Sequence, residues 1–204
     1  MPIPTGGNTL PKALTNIRCC TALKNCGKET VENAHRVSSA QQLYVYDDSI
    51  LRYSNWSNKI ADVPDKTKCF TICNTKLTEI VFLPLDNRVL SGKKIRKGGI
   101  SDCLLLTEEM MSFVELKTEA TSQACFMERV NDAINQHRNT FSHVVKPRIV
   151  KVLSEFPNIG VEFYVVFNDV LMVTATFAEL QDAQADFLLE CGYPLYIDNR
   201  KEYK

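Results

Sequence analysis

Between Ile100 and Ala120 the chain reads ISDCLLLTEEMMSFVELKTEA. Two apolar runs, CLLL and MMSFV, flank a short acidic TEE. Runs of this length, bounded by polar residues, predict two strands of a hairpin. If Thr107 pairs with Met110, then Leu106 faces Met111, Leu104 faces Phe113 and Asp102 faces Glu115. Directly opposed residues project to the same side of a sheet, with Cβ atoms about 4.5–5.5 Å apart. Side chains alternate along a strand, so Lys117 shares the face of Glu115. The open end of one hairpin thereby gathers Asp102, Glu115 and Lys117.

The neighbouring segments extend the pattern in both directions. Downstream, Phe126, Val130, Ala133, Ile134, His137 and Phe141 recur at helical spacing and predict an amphipathic helix. Upstream, KCFTICN and LTEIVFLPLD predict strands, as does GVEFYVVFND further on. VLMVTATFAEL reads as another strand, RIVKVLSEF as a strand or short helix, and YPLYIDN as a last short strand. ELQDAQADFLLECG predicts a helix stopped at Gly192. Residues 28–45 are expected to be mostly helix, from Val31, Ala34 and Val37, and the polar residues after them a connection with one short helix. Residues 1–27 are expected to form an N-terminal arm, because Pro2, Pro4, Gly6, Gly7 and Pro11 punctuate its start. Residues 28–204 then make one domain. The fold class is α/β (α+β), with a central mixed β-sheet flanked by helices.

Two facing carboxylates repel, and burial raises the pKa of one of them. A divalent cation removes that conflict. Mg²⁺, or Mn²⁺ in its place, takes oxygen ligands and commonly uses one or two carboxylates plus waters and substrate phosphates. The backbone carbonyl of Leu116 offers a further oxygen. Lys117 is then placed to orient an attacking water and to offset phosphate charge. The alternative for these residues is a solvated hairpin end with a Glu-Lys pair, since sheet edges often carry such charges.

Asp102 followed by Glu115-Leu116-Lys117, on consecutive strands and ahead of an amphipathic helix, resembles the PD-(D/E)xK, or restriction-endonuclease-like, nuclease superfamily. The resemblance covers residues 75–170 and is centred on 98–145. Ser101 stands where the family name has Pro. The resemblance implies a core of helix, three antiparallel strands, helix and a further strand. It also implies metal-dependent phosphodiester hydrolysis, with Asp102, Glu115 and Lys117 catalytic and Asp102, Glu115 and the Leu116 carbonyl holding the metal. Many members add a Glu from the first helix, for which Glu29 and Glu32 are candidates. Some place a Gln or Tyr on the helix after the Lys, for which Gln123 and Gln136 are candidates. A nuclease acting on DNA is the expected function, as an endonuclease in a restriction or anti-phage defence setting. Loops, a homodimer or a partner such as an ATPase would supply target choice. The alternative is a non-catalytic structural or regulatory subunit of a nucleic-acid-processing complex with the same fold.

Lys93, Lys94, Arg96 and Lys97 lie just before Asp102 in sequence. They read either as a grip on a nucleic-acid backbone or as a soluble surface turn. The whole chain is not basic: 24 Lys and Arg balance 24 Asp and Glu over 204 residues. A uniformly basic nucleic-acid binder is therefore excluded, whereas a local cleft is not. With 45% hydrophobic residues the chain can build a sizeable core. No apolar run approaches a membrane span and no signal peptide is visible, so a cytoplasmic protein is expected. Eight cysteines are present, but only Cys69 and Cys73 approach a zinc-knuckle spacing. Buried thiols are the expectation, and His137, on the apolar stripe, is read as structural. Tyr53 and Trp56 read as cover for a corner of the core or as a stacking surface for a base.

Overall fold

The computed structural model describes residues 10–91, 99–120, 122, 125–155, 158–172 and 177–204. Among them the strands form two mixed sheets. The larger has the order β1 (Arg36–Ser38), β5 (Ile80–Pro84), β6 (Cys103–Leu106), β7 (Met110–Leu116), β8 (Gly160–Val166) and β9 (Leu195–Ile197). Its first four strands are mutually antiparallel, while β8 and β9 add in parallel. The smaller has the order β10 (Arg200–Tyr203), β4 (Phe70–Asn74), β2 (Gln42–Asp48) and β3 (Tyr53–Ser57).

The β6–β7 hairpin has the register expected from its apolar runs: Leu106 opposes Met111, Leu104 opposes Phe113 and Cys103 opposes Val114. Glu108 and Glu109 are poor turn formers on their own, and Thr107 makes the turn work. Its N–H donates to the Met110 carbonyl at 2.9 Å, and its hydroxyl accepts the amides of Glu109 and Met110 at 3.2 and 3.0 Å.

Alternation along these strands divides the interior into two cores. Leu104, Leu106, Met111, Phe113, Val161 and Phe163 face the helices. Cys103, Leu105, Val114, Tyr164 and Val166 face the second sheet, meeting Leu43, Val45, Trp56, Phe70 and Ile72. The molecule is thus layered as helices, six-stranded sheet and four-stranded sheet. The expected mixed sheet flanked by helices is present, with its helices on one face and a second sheet on the other.

The crossover from β7 to β8 is helical over 126–153. It comprises α4 (Phe126–Thr140), a π-helical segment (Phe141–Ile149) and α5 (Val150–Leu153), these being the fourth and fifth α-helices of the chain. The predicted stripe is buried at Phe126, Val130, Ala133, Ile134 and His137. Pro147 lies inside the π-helical segment, whose wider winding accommodates a residue with no N–H.

Four expectations change. Residues 28–45 are helical only over α3 (Val31–Ala34), and then turn extended into β1 and β2. The i, i+3 spacing belongs to that single turn of helix. "LYVY" is strand composition, buried on both faces because Tyr44 and Tyr46 pack on Val63 and Cys69. The expected polar connection supplies β3. The described residues of VLMVTATFAEL belong to α6 (Asp169–Met172) and the start of α7 (Phe177–Cys191) where a strand was expected, and Gly192 follows at φ +78°. In the expected arm, α1 (Lys12–Asn16) and α2 (Cys19–Ala22) place Ala13, Leu14, Ile17, Cys19 and Leu23 in the main core.

All eight thiols are free, and Cys103 is fully buried. Trp56 is buried and stacks on Phe82 at 5.2 Å between ring centroids. No helix among the described residues is long and apolar enough to cross a membrane.

Candidate active site

Strand parity carries the first hairpin's chemistry to one place. Met111 and Phe113 face the helices, and Glu115 and Lys117 continue that series past the end of the core. Leu104 and Leu106 do the same on β6, and Asp102 continues them. Asp102 stands one step beyond the Cys103–Val114 pair, opposite Glu115. Lys117 keeps the extended path, because its N–H donates to the Val166 carbonyl at 2.7 Å.

Glu115 is the floor of the site and is 2% exposed. Its Oε1 pairs with Lys117 Nζ at 2.8 Å, and its Oε2 is buried with no hydrogen-bond partner among the described residues. Burial raises the Glu115 carboxyl to about 7 against the pull of Lys117. Asp102 is half-buried, and its carboxylate accepts the Leu116 N–H at 2.7 Å. Burial, then Glu115, then Asp47 push its pKa well above the ordinary range, while the Leu116 N–H and Lys117 oppose them. The N–H and C=O of a strand residue point to the same side, so the Leu116 carbonyl also turns toward Asp102.

The segment entering β6 is stitched to α4. Ser101 N–H donates to Thr140 Oγ1 at 2.8 Å, and Asn139 donates to the Gly99 carbonyl. His137 Nε2 lies 3.0 Å from the Tyr164 carbonyl, which can only accept. That fixes the proton on Nε2 and leaves Nδ1 to accept the Ser101 hydroxyl at 2.9 Å. The ring is fully buried and neutral, with its pKa lowered by burial to about 3. Gln136, one of the two glutamines expected near the lysine, accepts a hydrogen bond from Lys117 Nζ. Gly99 makes room for it: a Cβ there would lie 2.8 Å from the Gln136 side chain, and the backbone is left-handed at φ +74°.

The other predicted residues are placed elsewhere or not described. Glu29 Oε2 accepts from Arg88 Nε at 2.9 Å. Glu32 is bonded to its own backbone, Thr30 and Cys20. Neither first-helix candidate is brought to the Asp102–Glu115 pair. Gln123 and the basic residues Lys93, Lys94, Arg96 and Lys97 lie outside the described residues.

Two carboxylates not singled out in the sequence join the field of the site. Asp47, at the end of β2, is solvent-exposed and acts on both Asp102 and Glu115. Partial desolvation, then Glu119, raises it to about 6 against Lys117. Asp86, beyond β5, also acts on Glu115, and burial raises its own pKa. The only sequence signal for Asp47 is an acidic pair closing a strand, because its relation to Asp102 depends on packing between the two sheets. Across the hairpin Asp47 opposes Ser54, whose hydroxyl donates to the Asp102 carbonyl at 3.1 Å.

Among the described residues, Asp102, Glu115, Asp47 and Asp86 share this cluster with the ammonium of Lys117, and each of the four carboxyls is shifted upward, chiefly by burial. No group of three or more His, Cys, Asp or Glu side chains that could hold a metal is present among the described residues. Two carboxylates, a main-chain carbonyl and water form a smaller set, of a kind that Mg²⁺ accepts. The unpartnered, buried Oε2 of Glu115 is the atom such a cation would satisfy.

The chain matches no family model, no curated protein and no solved structure.

Proposed function

We propose that the protein is a divalent-cation-dependent nuclease that hydrolyses phosphodiester bonds in DNA, built on a restriction-endonuclease-like core. The observation that carries this reading is the convergence at the end of β7. Two facing carboxylates, one with a buried unpartnered oxygen, share a face with an ammonium group. Topology supports it. The antiparallel run β5–β6–β7 is followed by a helical crossover and by β8 parallel to β7.

Asp102, Glu115 and the Leu116 carbonyl would hold Mg²⁺ or Mn²⁺. When bound, the cation would supply Lewis-acid activation of water and charge at the phosphate oxygens. Lys117 is the group that would orient the attacking water and offset negative charge on the scissile phosphate. Gln136 and the Ser101–His137–Thr140 network hold Lys117 and the Asp102 segment in position. The function proposed is an endonuclease of a restriction or anti-phage defence system, in the cytoplasm, with a second copy or an ATPase as partner.

The test is direct. Purified protein is incubated with plasmid, linear duplex, single-stranded DNA and RNA, each with Mg²⁺, Mn²⁺ or EDTA. Cleavage of DNA is expected with either metal, abolished by EDTA and by Glu115→Ala or Lys117→Ala. Cleavage that persists in both variants overturns the assignment. A folded protein that neither binds Mn²⁺ nor cuts any substrate points instead to a non-catalytic subunit.

A further inference from the structure

From the β2–β3 hairpin we infer that this nuclease, on the reading above, acts on duplex DNA by driving the apolar tip Ile50–Leu51 into a base step beside the scissile phosphate. The tip is unusual in composition and in stiffness. Ile50 is 90% exposed and Leu51 44%. Asp48 accepts the amides of both residues at 3.0 Å each, its carbonyl accepts the Arg52 N–H at 2.7 Å, and its other oxygen takes Asn55 at 3.2 Å. Turns that merely reverse the chain carry polar residues, whose side chains lose nothing by hydration. Here a fully exposed isoleucine is instead presented on a turn closed by several hydrogen bonds. Exposed apolar area on a rigid projection is stabilised only when something covers it.

Its position selects the occupant. The hairpin leaves the small sheet at the same end of the molecule as the carboxylates. Asp47, at its base, lies in the field of Asp102 and Glu115. Ser54, the cross-strand partner of Asp47, is hydrogen-bonded to the Asp102 backbone. A strand rises about 3.3 Å per residue and β2 ends at Asp48, so the turn carrying Ile50 begins roughly 3 Å beyond Asp47. The spacing of adjacent phosphates along a duplex is of the same order, about 3.4 Å of axial rise per base pair on each strand. The tip therefore falls within a few base steps of any phosphate held over Glu115. Leu and Ile side chains inserted at such steps from the minor groove unstack them and kink the duplex toward the major groove. At the same end of the large sheet, Val170 is 70% exposed on α6, and Asn168 just before it is tied to the carbonyls of Thr118 and Ala120 after Lys117.

The full-length protein and the double variant Ile50→Ser/Leu51→Ser are compared with Mn²⁺ on an intact duplex, the same duplex with a one-nucleotide bulge, and its single strand. 2-Aminopurine at successive positions reports unstacking in complexes of the Glu115→Gln protein. The wild type is expected to cut the bulged duplex faster than the intact one. The double variant should lose about tenfold on the intact duplex, about 1.4 kcal/mol, and stay within about twofold on the single strand. Its complex should lose the 2-aminopurine signal. Equal cleavage of all substrates by an active wild type and the variant overturns the wedge and leaves the nuclease reading standing. Loss of a dimer in the variant, with cleavage unchanged, assigns the tip to a second copy and overturns it also. A wild type that binds and cuts no nucleic acid overturns both readings. Circular dichroism and Leu51→Ser alone control for folding.

Discussion

His137 shows how a residue can support a site without entering its chemistry. It is fully buried, donates to the Tyr164 carbonyl and accepts from Ser101, the residue before Asp102. Its folded pKa is near 3, below its ordinary value of 6.5. Between those values the unfolded chain binds a proton that the folded chain refuses. This contribution to stability is therefore complete above about pH 6.5 and is lost as pH falls. The loss approaches about 1.4 kcal/mol per pH unit within the window. Denaturant titrations from pH 7 to pH 4 should show a shallower pH slope for His137→Gln than for the wild type. Identical slopes would contradict a neutral buried imidazole. At Glu115 the balance is between stability and function. Glu115→Gln removes a buried charge, so the variant should melt no lower than wild type without metal and lose the upward shift that Mn²⁺ gives the wild type. Differential scanning fluorimetry with and without Mn²⁺ measures both.

At the scale of elements, the β6–β7 hairpin was legible because alternation and a short loop leave one register that buries every apolar side chain. Asp102, Glu115, Lys117 and the helix carrying Gln136 follow from that register. Of the second sheet, β4 was legible in KCFTICN, but β2 and β3 were not: β2 is buried on both faces, and one turn of helix just before it shares its spacing. Asp47 was missed for the same reason, since only packing between sheets brings it near Asp102. A second element-scale feature came from the same blind spot. Lys201 of β10 is buried with Glu162 of β8, whose carboxylate also accepts the Ser112 hydroxyl. The ammonium lies 4.6 Å from the Tyr203 ring centroid and 5.3 Å from that of Tyr164. This pair ties the last strand to the large sheet. Lys201→Met alone should cost about 3–5 kcal/mol, because it strands a buried carboxylate. Glu162→Gln/Lys201→Met should recover much of that loss in urea unfolding. Equal losses in the single and double variants would show that the pair is not the clamp.

For the whole molecule, layering explains why the chemistry lies where it does. Helices cover one face of the large sheet and the small sheet covers the other, so its interior strands open to solvent at their ends. The candidate site occupies one such end, walled by α4 on one side and by the β2–β3 hairpin on the other. The interior strands β6, β7 and β8 are paired on both edges and buried on both faces. Their amides should exchange slowest with solvent. Hydrogen exchange read by mass spectrometry checks this order, and fast exchange in β7 would contradict the layered core.

The central claim is that a cation belongs between Asp102 and Glu115. Crystals grown with Mn²⁺ and measured near the manganese edge test it most directly. The account predicts an anomalous peak within ligand distance, about 2.1–2.3 Å, of both carboxylates and of the Leu116 carbonyl, with Glu115 Oε2 satisfied. Ordered carboxylates with the Lys117–Glu115 pair intact, and no peak between Asp102 and Glu115 at millimolar Mn²⁺, would contradict it.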